Sequence, residues 1–202
     1  MSKFLGPIHH WLYNKIQLQE ELIDSVLEQN EKNGWVPGLA DFVDENVGTV
    51  ERRPLEEIID EGNIHGWLQG RISISEARLA TTVTRLLEDD PSRLAELQDA
   101  AYRMGSSHPL PEGATASEGF KALNDCLLDG MPCDQVNQVI EETPDHVTWK
   151  KRMDLHAPYW EDAGGSVKNY DAIRSKLTEG IMNSSGLTYG TLEDDTFEIR
   201  QQ

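Results

Sequence analysis

The spacing of apolar residues in this chain of 202 residues changes close to Gly130. Over most of the chain before that point, apolar side chains recur every three or four residues, as at Ile8 and Leu12, which is the period of an amphipathic helix. After it they fall on alternate positions, as at Val147 and Trp149, which is the period of a β-strand. Helices followed by strands, without βαβ alternation, predict an α+β fold. We expect a mostly helical, bundle-like N-terminal region packed on a C-terminal layer with a small antiparallel sheet.

The N-terminal half contains several predicted helices. Pro7 opens a long amphipathic one over about residues 7–31. The segment Ser73–Glu76 matches a capping box and predicts a further helix start, and Asp90, followed by proline, opens the next helix. We expect these last two helices to form an antiparallel pair. The glycine-punctuated stretch 62–70 has two interpretations, a broken helical turn or a connection whose apolar side chains enter the core.

The C-terminal half is predicted to contain a hairpin. Residues 136–142 suit a short helix or a strand, and we favour a strand because residues 143–146 are typical of a four-residue turn. The second strand of this hairpin is predicted to run from Val147 to His156. The remaining predicted elements are a helix around Tyr170 and one or two final strands, in residues 187–189 and 196–199.

A stretch rich in Ser, Pro and Gly, residues 105–113, is the best internal linker. It divides the chain into a helical region, residues 1–110, and an α+β region, residues 111–202. Because a chain of this length can build one good hydrophobic core, we expect the two regions to form one compact domain.

Acidic residues outnumber basic residues by 36 to 18, which gives the chain a net charge of −18. Such a field repels phosphate backbones and anionic lipids, so we expect neither nucleic acid nor a membrane as a partner. The first residues lack the apolar stretch of a signal peptide, and no window reaches the ~18 apolar residues that cross a bilayer. The sequence therefore predicts a soluble, cytoplasmic protein whose two cysteines remain free thiols.

The sequence contains no phosphate-binding loop, dinucleotide fingerprint, zinc-finger spacing or nucleophile elbow, so its chemistry has to be sought in individual side chains. Cys133 lies in a predicted turn, and His156 lies at a predicted strand end that leads into Tyr159. Strand ends that lead into loops are common places for sites. We therefore name Cys133, His156 and Tyr159 as candidate catalytic residues. They predict a small-ligand-binding or metal-binding protein, with enzymatic activity an open question, whose site lies where the helical region meets the C-terminal sheet.

A metal ion is a second use for the same side chains. His156 and Cys133 are candidate ligands, with His9 of the first helix as a third, and this set favours zinc or iron. The adjacent His9 and His10 are a weak metal signal, because neighbouring residues on a helix diverge by about 100°. The other interpretation of His9 is a boundary position beside the apolar stripe, where a carbonyl or a Tyr hydroxyl binds its ring.

Three further interpretations stay open at this point. His156 and Tyr159 also suit a structural corner that closes the sheet against a helix. Thiol redox chemistry requires that the fold bring Cys126 and Cys133 together, whereas the simpler interpretation of Cys126 is a small buried apolar side chain. A non-catalytic interaction protein is the main alternative function, and a homodimer formed through the outer face of the first helix at Trp11 and Tyr13 is its most direct form.

Overall fold

The computed structural model describes residues 5–202. Residues 1–4, on which the signal-peptide prediction depends in part, lie outside the described residues. The helices of the described part are α1 (Pro7–Asn33), α2 (Leu39–Asn46), α3 (Leu55–Ile58), α4 (Ile64–Glu88), α5 (Leu94–Ser106), α6 (Ala116–Cys126), α7 (Ala157–Asp162) and α8 (Val167–Met182). The strands are β1 (Asn137–Glu142), β2 (His146–Lys151), β3 (Leu187–Thr191) and β4 (Thr196–Gln201). This confirms the predicted α+β fold, with helices concentrated in the N-terminal half and a small sheet at the C-terminal end.

The four strands of the described chain form one antiparallel sheet in the order β1-β2-β4-β3. The predicted hairpin is β1 and β2, and β4 lies against β2 so that Val147 faces Ile199 and Trp149 faces Phe197. Val147, Trp149 and Ile199 are buried on one face of the sheet. Helix α6 packs on this face, where Gly119 lies close to Leu187 and Ile199, and α8 lies against β3.

The helix start predicted at Ser73–Glu76 is wrong, because α4 already begins at Ile64 and passes through that segment. Asn63 caps the helix instead, its side-chain oxygen accepting a hydrogen bond of 3.2 Å from the Gly66 N–H. The i, i+4 spacing of the buried Ile64, Leu68 and Ile72 explains the longer helix. Burial of each such side chain stabilises by about 1.5–3 kcal/mol, which outweighs the ~1 kcal/mol cost of a glycine in a helix.

The predicted antiparallel pair of α4 and α5 is also wrong, since α5 packs chiefly against α8 and α1. Two glycines explain this choice of partner. Gly105 of α5 and Gly180 of α8 face each other, so the backbones of the two helices approach closely. Gly105 and Gly180 are 75 positions apart in the sequence. Helical periodicity alone does not predict a contact between such distant segments.

The strand predicted to reach His156 ends at Lys151. Beyond it the carboxylate of Asp154 accepts hydrogen bonds from the backbone N–H groups of His156 and Ala157, at 2.9 and 3.1 Å. Such a turn competes with strand pairing and starts α7. His156 therefore lies immediately before a short helix and not at a strand end. The strand was predicted to continue because Met153 follows the alternation of apolar residues that begins at Val147. Met153 is in fact 44% exposed, so it is not part of the buried face of the sheet.

One apolar cluster connects the helical region with the C-terminal layer, including the buried Val83 and Leu97 of the first and Ile173 and Ile199 of the second. A second cluster packs α1 against the first turns of α4. The two predicted regions thus share a core. Among residues 5–202, no helix has both the length and the apolar character needed to cross a membrane.

Candidate functional site

The structure places the three candidate catalytic residues in different surroundings. Cys133 is exposed, in a short 3-10 turn over residues 132–134. His156 is 1% exposed and lies deep in the core. Tyr159 is half-buried in α7, where its hydroxyl lies 3.0 Å from the Ser73 hydroxyl. In the described chain no side-chain hydrogen bond joins any two of these three residues, and a shared site for them stays a prediction.

The candidate metal ligands do not form a cluster. His9 is buried in α1, where its Nδ1 accepts a hydrogen bond of 2.9 Å from the Gly6 N–H, and its ring lies beside that of His65. Across residues 5–202, no group of three or more His, Cys, Asp or Glu side chains is arranged to hold a metal ion. Both Cys126, which is half-buried, and Cys133 are free thiols. Zinc or iron binding and thiol redox chemistry therefore stay predictions without a cluster to support them.

The His156 ring lies at the centre of a buried polar network. Its Nδ1 lies 2.9 Å from a carboxylate oxygen of Glu76. Its Nε2 lies 3.4 Å from Asp129 Oδ1 and 3.1 Å from the Tyr170 hydroxyl. The two rings are also packed together, with 4.1 Å between the centroids of His156 and Tyr170. Both ring nitrogens thus face an oxygen, as buried polar groups require.

Arg174 completes this network on the side of the sheet. Its two terminal nitrogens donate to the two carboxylate oxygens of Asp129, at 2.7 and 2.8 Å. One of them also donates to the Tyr170 hydroxyl at 2.8 Å. Asn137 adds a hydrogen bond of 3.1 Å to Asp129. Such a bidentate guanidinium–carboxylate pair fixes both partners in orientation as well as in charge.

The network is balanced in charge when His156 is protonated, with two carboxylates facing one imidazolium and one guanidinium. Burial lowers the pKa of His156, but the neighbouring carboxylates of Glu76 and Asp129 outweigh this effect and raise that pKa to about 9. Burial raises the pKa of Asp129, and the Arg174 guanidinium and His156 overcome it and hold that pKa well below its ordinary value. At neutral pH His156 is therefore a hydrogen-bond donor, whereas a general base has to be unprotonated.

We expect the stability difference between the native protein and a His156→Gln variant to depend on pH. Because the folded pKa of about 9 exceeds the ordinary 6.5, protonation stabilises the folded state fully below about pH 6.5. This contribution is lost as the pH rises through about 9. This shift in the pKa of His156 corresponds to about 3 kcal/mol. The free energy of unfolding of the native protein relative to that of the His156→Gln variant should therefore fall by about that amount as the pH rises. Urea unfolding from about pH 6 to about pH 10 measures it.

A buried lysine makes the comparison with the variant necessary. Burial lowers the pKa of Lys15 to about 8, against the attraction of Asp129. Its contribution has the opposite sign, since stability then rises as the pH passes from about 8 towards 10.5. The difference between the native protein and His156→Gln removes most of this effect, because Lys15 is present in both. A gap that stays constant over the whole pH range would contradict a protonated His156 in the folded state.

A cleft of about 590 Å³ opens in front of the Asp129–Arg174 pair. Its walls are the inner face of the sheet on one side and α6 and α8 on the other, and its lining residues lie between Phe120 and Phe197 in the chain. The cleft is therefore part of the C-terminal region. The helical region reaches it only indirectly, because Glu76 of α4 binds His156, which in turn binds Asp129.

Part of the cleft lining is aromatic, with three rings from the sheet and one, Phe120, from α6. Trp149 has the ring of Phe120 at 4.9 Å between centroids, that of Phe197 at 5.8 Å and that of Tyr189 at 6.3 Å. All four residues line the cleft. We call them the aromatic wall. Aromatic side chains in a concave site offer a large apolar surface to a ligand at little cost in conformational entropy.

The α8 side of the cleft is polar and carries Arg174, Ser175 and Thr178. Helix α6 contributes the polar Asn124 and two apolar side chains, Phe120 and Leu123. Thr178 is 1% exposed, and its hydroxyl has no hydrogen-bond partner within the described residues. A buried polar group without a partner is uncommon in a folded protein and calls for an explanation, of which a bound ligand or water is one.

The sequence prediction missed most residues of the network and the cleft. Glu76 carried a usable signal, because it falls on the buried stripe of α4 between Ile72 and Leu79, where an acid has to be paired. The i, i+4 spacing of Tyr170 and Arg174 on one helix face was a second, weaker signal. Asp129 carried none, since it is one acid among 36 in the chain.

No family model, no curated protein and no solved structure matched the chain. The side chains of this protein are therefore the guide to its function, above all those of the cleft and of the buried network behind it.

Proposed function

We propose that this protein binds a small organic molecule in the cleft between the sheet and helices α6 and α8. The observation that carries the proposal is the cleft itself, whose volume of about 590 Å³ is that of ordinary ligand sites and whose walls combine an aromatic surface with a few polar groups. An aromatic wall facing fixed hydrogen-bonding groups is the arrangement that binds an apolar body and orients its polar end.

The buried network gives the polar side of this site its rigidity. Arg174 is fixed by Asp129 and Tyr170, and Asp129 is fixed in turn by His156. A binding group that is supported in this way loses little conformational freedom when a ligand arrives. In this proposal His156 supports the site from behind, and Glu76 connects that support to the helical region.

The test is a screen of small aromatic molecules by ligand-observed NMR, with a variant that fills the cleft. Ser175→Phe places a large side chain in the cleft from α8. We expect molecules that bind the native protein, with affinities of about 1 mM typical of fragments, to lose their binding to this variant. Ser184→Phe is the matched control, because Ser184 is exposed and lies outside the cleft.

Equal binding to all three proteins would show that the molecules bind elsewhere and would leave the cleft without a function. Circular dichroism and the melting temperature of each variant establish that the substitutions leave the fold intact. A cytoplasmic location and a homodimer formed through α1 remain proposals from the sequence. The expectation that Tyr13 belongs to the outer face of α1 is wrong, because Tyr13 is only 6% exposed and its hydroxyl donates to the carbonyls of Glu51 and Arg53.

A further inference from the structure

The aromatic wall and the charges around it also bear on what kind of molecule the cleft accepts. The faces of aromatic rings attract cations, and tryptophan does so most strongly. Trp149 lies at the middle of the wall, with Phe120, Tyr189 and Phe197 around it. A set of rings that lines one cavity is the usual way in which proteins recognise organic ammonium groups.

The acidic side chains of the cleft strengthen this preference. Asp171, Asp194 and Asp195 line the cleft and have no ion-pair partner in the described part of the protein. Two of the basic residues that line it are already paired, Arg174 with Asp129 at 2.7 Å and Lys151 with Asp154 at 3.7 Å.

Arg152 is the basic side chain of the lining that remains without such a partner among residues 5–202. The lining thus has an excess of negative charge, in a protein whose net charge is −18. Both the local and the long-range field favour a positively charged ligand over a negative one.

We propose that the cleft selects organic cations, molecules in which a protonated amine or a quaternary ammonium is attached to an apolar or aromatic body. This inference rests on the proposed function and adds the charge of the ligand to it. The apolar body packs on the aromatic wall, and the cationic group lies between the more exposed rings of that wall, Tyr189 and Phe197, and the unpaired aspartates. The loop that carries Asp194 and Asp195 connects β3 to β4 and so extends the sheet wall towards solvent.

Three probes with one body and different charges test the proposal: 3-phenylpropylamine, 3-phenylpropan-1-ol and 3-phenylpropanoate. We expect the amine to bind about tenfold more tightly than the carboxylate at neutral pH, with the alcohol between them. Isothermal titration calorimetry on the full chain measures the three dissociation constants. Added salt should weaken the binding of the amine and leave that of the alcohol unchanged, because only the amine is attracted by charge.

A double variant, Asp194→Asn with Asp195→Asn, connects the preference to the cleft. Both residues have positive φ, at 55° and 53°, and asparagine adopts that conformation readily, so the turn should be preserved. The ratio of amine to alcohol affinity should fall towards one, with the affinity of the alcohol unchanged. The control is Glu57→Gln with Glu61→Gln, which removes the same charge from exposed positions outside the cleft.

Equal binding of the three probes, or tightest binding of the carboxylate, would overturn the charge preference while leaving a small-molecule site in place. Failure of the amine to bind also overturns the charge preference. Whether the cleft binds small molecules at all is tested separately, by the aromatic screen with Ser175→Phe. A ratio that falls equally in the control variant would mean that net charge, and not the cleft, causes the preference.

Discussion

Replacing Asp129 by asparagine is expected to destabilise the fold by about 3 kcal/mol, because it leaves the buried His156 and the half-buried Arg174 without their shared counter-charge. Asp129 receives two hydrogen bonds from Arg174, at 2.7 and 2.8 Å, and faces the His156 ring at 3.4 Å. Its side chain is only 8% exposed, so solvation by water compensates little of the lost charge. Urea unfolding at neutral pH measures the change in the free energy of unfolding.

The matched control is Glu88→Gln, which removes one carboxylate from the exposed pair of Glu88 with Arg85. That change should cost less than about 1 kcal/mol, as solvent-exposed pairs generally do. A double-mutant cycle with Arg174→Gln separates the pair from its surroundings. We expect the double variant to lose clearly less free energy of unfolding than the two single variants lose in total. Similar losses for Asp129→Asn and Glu88→Gln would contradict the role of Asp129 as the centre of a buried network.

Replacing Gly105 by alanine should destabilise the protein by about 3 kcal/mol or more, because the new methyl group has no space. A Cβ atom at this position would overlap the Leu177 carbonyl oxygen of α8 and lie 3.0 Å from the Ile181 nitrogen. These are backbone atoms, which cannot move away by rotating a side chain. Gly180→Ala should have a similar effect, since its Cβ would meet the Tyr102 carbonyl oxygen of α5.

Gly70→Ala is the control for both substitutions. Gly70 also lies inside a helix, α4, but a Cβ atom there has no neighbour within 4 Å. Without a clash, the better helix propensity of alanine should stabilise the protein by about 0.5–1 kcal/mol. Thermal and urea unfolding of the three variants give the comparison. A Gly105→Ala variant as stable as Gly70→Ala would mean that α5 and α8 do not approach each other as the structure shows.

The same two helices show the limit of periodicity. The apolar stripes predicted that α5 and α8 exist, because a stripe depends only on residues within one segment. The choice of α8 as the partner of α5 depends on the mutual approach of Gly105 and Gly180, and neither glycine is unusual in its own segment. A pairing of this kind depends on the fit between two helix surfaces, and the residues of those surfaces lie far apart in the sequence.

Buried charge shows a second limit. The ring of His156 was singled out by sequence as a candidate, yet its partners Glu76 and Asp129 come from segments 80 and 27 residues away. The ion pair of Glu20 with Arg78, at 3.1 Å between α1 and α4, is buried in the same way and was not predicted at all. Whether a carboxylate is desolvated depends on what covers it, and one acid among 36 does not show that by its own position.

What the sequence determined by itself is therefore the class of the fold and the kind of most elements: helices where apolar residues recur every three or four positions, strands where they alternate, and the hairpin between β1 and β2. The short helix α7 was not among them. Burial of apolar side chains is strong enough to impose these local periods. The tertiary structure alone decided which helices pair, that His156 is enclosed by two carboxylates, and that a cleft opens between the aromatic wall and α8. Those features require groups from distant segments at distances of a few ångströms, and only the folded chain brings them together.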